Sequence, residues 1–250
     1  MKKIAFQLFM TFSLLTPAIA MERVEADQLF TQAGQAYKDG QLNEAIGFNE
    51  KIIAGGFESS AVYYNLGNAY LKKKALGKAI ANYLRSERMS PRDADVRANL
   101  AFARSNVEFS QPFSSTNDVE KVLLLNQASE EELRWMALMF FMMAGTFVLV
   151  GLYKKVRTKR IILWTVLLSC LWIYCVAVLM MRMVSEDGHA VVIKGVEAKY
   201  EPSQGATTYF KLFEGAEVRV LKREDMWLKI ERSDGKAAWV SVDAVEQVLP

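Results

Sequence analysis

The chain has 250 residues, and 52% of them are hydrophobic, more than an ordinary soluble domain needs, so part of the chain must face lipid. Its 31 basic and 28 acidic side chains leave a net charge of +3, which argues against the broad basic surface of a nucleic-acid binder. One histidine, His189, and two cysteines, Cys170 and Cys175, both inside one apolar run, exclude a disulfide framework, a zinc site of the usual ligands and a histidine-based triad. Carboxylate-only hydrolysis stays formally open, but no paired acids form a recognisable motif, and the reading is a non-enzymatic protein without a cofactor.

Residues 1–20 combine Lys2 and Lys3, an apolar stretch from Ile4 to Leu15, and Ala18 and Ala20 in an A-x-A pattern. This is the pattern of a secretory signal peptide, with an uncleaved anchor as the alternative, and either one exports the residues that follow.

Residues 26–107 repeat with a period of roughly 34, the length of a stacked helix-turn-helix unit. The clearest unit reads Tyr63, Tyr64, Asn65, Leu66, Gly67, Asn68, Ala69 and Tyr70, then Ala79, Ile80, Tyr83 and Pro91. It resembles the tetratricopeptide repeat (TPR). An earlier unit carries Ala33, Gly34, Tyr37, Gly40, Ala45 and Ile46, and Asn99-Leu100-Ala101 falls one period after Asn65-Leu66-Gly67, marking a capping helix from about Ala94 to Val107. Gly34, Gly67, Ala45 and Ala79 are expected where paired helices cross closely. On the concave side, Gln32, Gln35, Asn65, Asn68 and Asn99 are candidate contacts to a peptide backbone, the alternative being a structural face. Against carboxylate-clamp TPR domains, Asn65 and Asn99 fit, but Thr31 stands where a basic residue is expected, so recognition of a C-terminal carboxylate does not follow.

Residues 108–134 change character, with Pro112 and several serines, and read as a linker ending in a juxtamembrane helix. Ser129 and Glu132 have capping-box spacing. Segments 135–153 and 161–181 are uncharged and near the roughly 20 residues that cross about 30 Å of hydrocarbon as a helix. Between them, the turn at 154–160 holds Lys154, Lys155, Arg157, Lys159 and Arg160, which places the turn in the cytoplasm and both soluble parts outside.

From 186 to 250, short apolar runs recur at strand spacing, separated by turns at Pro202–Gly205, Glu214-Gly215 and Asp234-Gly235, which suits a barrel of about five or six strands. Phe210, Leu212, Gly215 and Val218, then Trp227-Leu228-Lys229-Ile230, then Asp234-Gly235 and Trp239-Val240 resemble the bacterial SH3 family. Alternation sends Leu228 and Ile230 inward and Trp227 and Lys229 outward, where a peptide or cell-wall ligand would bind; edge packing is the alternative for Trp227. Trp239 is expected in the core.

The fold class is thus a multidomain membrane protein: an all-α TPR repeat, a two-helix transmembrane hairpin and a small all-β SH3-like barrel. Signal peptide, TPR, hairpin with a basic turn, and SH3-like barrel, in that order, resemble the TPR/SH3 proteins of the Bacteroides aerotolerance (Bat) operons. That resemblance implies an inner-membrane scaffold in envelope stress or oxygen tolerance, with a MoxR-type ATPase and membrane proteins bearing von Willebrand A domains as partners. The alternative function is peptidoglycan sensing or anchoring through the barrel.

Overall fold

The computed structural model describes residues 23–108, 128–153, 159–186 and 188–248. The expected signal peptide, residues 109–127 of the 108–134 linker, and Lys154, Lys155 and Arg157 lie outside these residues. The chain divides into two compact units between Glu58 and Ser59.

The first unit holds helices α1 (Arg23–Lys38) and α2 (Leu42–Ala54). Ala26, Ala33 and Ala36 are the buried residues of α1, and Ala45, Ile46, Asn49 and Ile52 those of α2, one face each at helical spacing. The turn between them uses Gly40 at φ +78°, a left-handed conformation in which a side chain would be strained. Gly34 differs from expectation: a Cβ added there would meet nothing within 4 Å, and its neighbour Ala33 is the small residue that is buried.

The second unit begins with α3 (Ser60–Lys72), α4 (Leu76–Met89) and α5 (Ala94–Ser105). Ser59 caps α3 by accepting from Val62 N at 3.3 Å, and Asp93 caps α5 by accepting from Asp95 N at 2.9 Å. The crossing of α3 on α4 is close at Gly67, where a Cβ would fall 2.6 Å from Tyr83 Cδ1. Ala79, Ile80 and Tyr83 of α4 are fully buried, and α5 contributes Val96, Leu100 and Ala103 to the same core.

Two long apolar helices follow, α6 (Glu130–Tyr153) and α7 (Lys159–Glu186). The capping box is formed: Glu132 N donates to Ser129 Oγ at 3.2 Å and Ser129 N to Glu132 Oε2 at 2.9 Å. The helices are antiparallel neighbours, with the rings of Phe141 and Trp172 5.7 Å apart. Leu149 and Leu152 are each more than two-thirds exposed, which is tolerable for large aliphatic side chains when hydrocarbon surrounds them. Both helices are long and apolar enough to cross a membrane, consistent with a two-span membrane protein.

The C-terminal part is one seven-stranded antiparallel sheet: β1 (His189–Val192), β2 (Val196–Lys199), β3 (Thr208–Leu212), β4 (Glu217–Glu224), β5 (Trp227–Glu231), β6 (Ala237–Ser241) and β7 (Val245–Gln247), in the order β3-β2-β6-β5-β4-β1-β7. The strand beyond the expected five or six is β7, which follows a 3-10 turn at Val242–Ala244 and pairs with β1. Three residues are too few for alternation to register as a strand in the sequence. The core is Ala190, Val192, Ala198, Leu212, Val218, Leu228, Ile230, Ala238, Val240, Ala244 and Val245.

Candidate functional site

The amide candidates of the helical part are partly committed to one another. Asn68 Oδ1 accepts from the Tyr83 hydroxyl at 2.7 Å and from Asn99 Nδ2 at 2.9 Å, while the same Asn99 Nδ2 lies 3.0 Å from the Tyr64 hydroxyl. Tyr83 is fully buried, and Asn68 supplies an acceptor for its hydroxyl inside the core. Asn68 and Asn99 thus tie α3, α4 and α5 together. Asn65, half-buried on α3, keeps its amide outside that network. Gln35, in the first unit, donates to both carboxylate oxygens of Asp39 at 3.0 Å, one helical turn away. Gln32 is exposed.

The outer face of the sheet is built by strand register. Lys199 of β2 stands opposite Trp239 of β6, Trp239 opposite Lys229 of β5, and Lys229 opposite Lys222 of β4. Residues directly opposed on antiparallel strands share a face, so three lysines and a tryptophan form a row across four strands. Trp227 lies two residues from Lys229 and therefore on the same side. Lys199 Nζ is 5.8 Å from the Trp227 ring centroid and Lys229 Nζ is 6.0 Å from that of Trp239, within reach of cation–π attraction. Trp239 is a correction. It is half-buried on the outer face, because Ala238 and Val240 take the inward positions of β6.

The structure also brings together residues that pattern reading missed. Arg104 of α5 donates Nε and Nη2 to the two carboxylate oxygens of Glu217 on β4, at 2.6 and 2.9 Å, and His189 Nε2 lies 3.1 Å from Glu217 Oε2. Glu217 is 4% exposed. Burial pushes its carboxyl upward, but the hydrogen bonds from His189 and Arg104 outweigh burial and hold it below the ordinary carboxylate range. Nearby Glu87 is pushed up, chiefly by burial, with Arg104 opposing and the Glu217 charge adding to the rise. Around this cluster, Arg85 donates to Glu246 Oε1 at 2.7 Å, Gln247 O at 2.7 Å and Val248 O at 3.1 Å. Gly77 N donates to Glu214 Oε1 at 3.0 Å, and a Cβ on Gly77 would lie 2.7 Å from Ile193 Cα. A single histidine and scattered charges carry no local motif, so only the fold could assemble them.

The helical part is also fastened to the apolar pair. Arg88 Nε donates to Glu130 Oε1 at 2.7 Å, and Arg92 pairs with Glu132, both acceptors lying in the first turn of α6. Of the basic turn, Lys159 and Arg160 are exposed at the start of α7, at the opposite end of the pair. No family model matches the chain, and no curated protein matches it.

Proposed function

We propose that this protein is a non-enzymatic scaffold of the bacterial inner membrane, with a TPR-like helical repeat and an SH3-like barrel held on the outer side of a two-span hairpin. The observation that carries the reading is the fastening of the parts. The sheet is bound to α4 and α5 through Arg85, Arg104 and Gly77, and α4 is bound to the first turn of α6 through Arg88. Modules linked in this way act at a set height above the bilayer. The basic turn at 154–160 and the signal-like 1–20 segment support the outward placement.

By resemblance to the Bat-operon TPR/SH3 proteins, the partners are membrane proteins with von Willebrand A domains and a MoxR-type ATPase system, in a complex serving envelope stress or oxygen tolerance. Pull-down of the full chain from native membranes in mild detergent tests this. Recovery of such proteins supports it, and their repeated absence removes the Bat assignment. Sidedness is checked in intact cells by probing cysteines placed at Ser59, Thr158 and Ser233 after replacing Cys170 and Cys175. Labelling at 59 and 233 but not 158 is the expected pattern.

The lysine–tryptophan row on the outer face of the sheet favours a second reading, in which the barrel binds peptidoglycan with Trp227 and Lys229 in contact. Co-sedimentation of the detergent-solubilised chain with purified peptidoglycan, lost in Trp227→Ala, is its expected result.

A further inference from the structure

The direction of the strands relative to the apolar helices can be followed residue by residue. Arg88, at the C-terminal end of α4, is held at Glu130, where α6 begins, whereas Gly77, at the other end of α4, touches Val192 and Ile193. Between them Arg85 reaches Val248 O, and Val248 N donates to His189 O at 2.9 Å. Strand β1 therefore runs away from the apolar pair, with His189 at the near end and Val192 at the far end. This agrees with its start three residues beyond the end of α7 at Glu186.

Strand β4 is antiparallel to β1 and returns toward that near end, with Glu217 opposite Val191 and Arg219 opposite His189. It then passes the start of β1: Val220 N donates to Gly188 O at 2.6 Å, and β4 continues to Glu224, about 13 Å further at 3.4 Å per residue. The β4–β5 hairpin thus projects past Gly188 on the side where α6 and α7 begin and end.

Its composition is unusual for a turn exposed to water. Leu221 is 48% and Met226 59% exposed, and Trp227 follows. Leu221 stands at the register shift between Val220 and Lys222, an irregularity that leaves a residue outside the ladder. Lys222, Arg223 and Lys229 outnumber Glu224 and Asp225, and Lys222 and Lys229 are directly opposed, a like-charge pairing that costs stability and that the Lys222–Glu224 ion pair offsets only in part. Exposed aliphatic side chains with tryptophan and lysine or arginine are the composition that settles at the boundary of lipid and water.

We propose that the tip of the β4–β5 hairpin, residues 221–229, rests in the lipid headgroup layer as a third membrane contact, a proposal that rests on reading α6 and α7 as membrane spans. Leu221 and Met226 enter the upper acyl region, Trp227 lies at the headgroup level, and Lys222 and Arg223 meet lipid phosphates, an arrangement that excludes the peptidoglycan contact of Trp227.

The test uses the full chain in nanodiscs of phosphatidylcholine and phosphatidylglycerol, with Cys170 and Cys175 replaced by alanine and one nitroxide attached at a time. Labels go on Met226→Cys, on Leu221→Cys as a second reporter from the bulge, on Ser233→Cys at the opposite end of β5, and on Leu149→Cys in α6. Collision rates with oxygen and with a water-soluble nickel complex give the depth of each label. The expected result is a deep label at 149, an aqueous one at 233, and nickel accessibility at 226 and 221 several-fold below that at 233. Labels at 226 and 221 as accessible as 233, with 149 still deep, would overturn the hairpin contact and leave the spans intact. An aqueous label at 149 would overturn the spans and the hairpin contact with them.

Discussion

Arg104 and Glu217 form a two-pronged ion pair across the junction of helix and sheet, with guanidinium Nε and Nη2 within 3 Å of a carboxylate whose side chain is 1% exposed. Geometry of this kind is strong only while both partners are present.

Arg104→Ala is expected to cost about 3 kcal/mol, because it strands a buried carboxylate with only His189 beside it. A double variant, Arg104→Met with Glu217→Met, is expected to lose less than the single one. Thermal melting of the detergent-solubilised chain compares the two, and a larger loss in the double variant would contradict the account.

The same cluster sets a pH dependence with two opposite signs. Glu217 is held below its ordinary pKa, so its contribution is complete above the ordinary carboxylate value of about 4.3 and is lost as pH falls through and below it. Glu87 is held above its ordinary value, so its protonated form favours the fold, and that contribution is lost as pH rises through its shifted value. Glu87→Gln is therefore expected to raise the melting temperature at pH 7, with the gain shrinking as the pH approaches 4.

Gly77→Ala is expected to cost about 1–3 kcal/mol, since the new methyl group meets strand backbone, which cannot rotate aside as a side chain can. Amide hydrogen exchange should accelerate in β1 and β4 more than in α3. Uniform exchange across the unit would mean that Gly77 does not hold the sheet in place.

Asn68→Ala is expected to cost about 1–3 kcal/mol by removing the carbonyl oxygen that accepts from the buried Tyr83 hydroxyl and from Asn99. Asn65→Ala is expected to stay within about 0.5 kcal/mol of the parent. Chemical denaturation of both variants separates the amide inside the network from the one outside it.

What the sequence revealed follows from the range of each signal. Ser129 and Glu132 announce the start of α6 because a capping box is local, and the two spans announce themselves by unbroken apolar length. Leu228 and Ile230 were legible as core because β5 alternates cleanly. Trp239 was misread because its size outweighed its place between two smaller inward residues, Ala238 and Val240. Asn68 and Asn99 are ligand candidates by their place on the concave side, and their hydrogen bonds to Tyr83 and Tyr64 become visible only once three helices are stacked. The Arg104–Glu217–His189 cluster draws on positions far apart in the chain, and no window of sequence contains it.

The grip of Arg85 on Gln247 O and Val248 O has a consequence for how this protein avoids sticking to itself. Strand β7 ends the sheet, and an end strand with vacant carbonyls is a template on which another chain can add a strand. Here Arg85 of α4 occupies one of them, Gln247 O, together with Val248 O just beyond the strand. Cutting the sheet away from its helices would uncover that edge, so a fragment carrying residues 188–250 alone is expected to self-associate more readily than the whole chain.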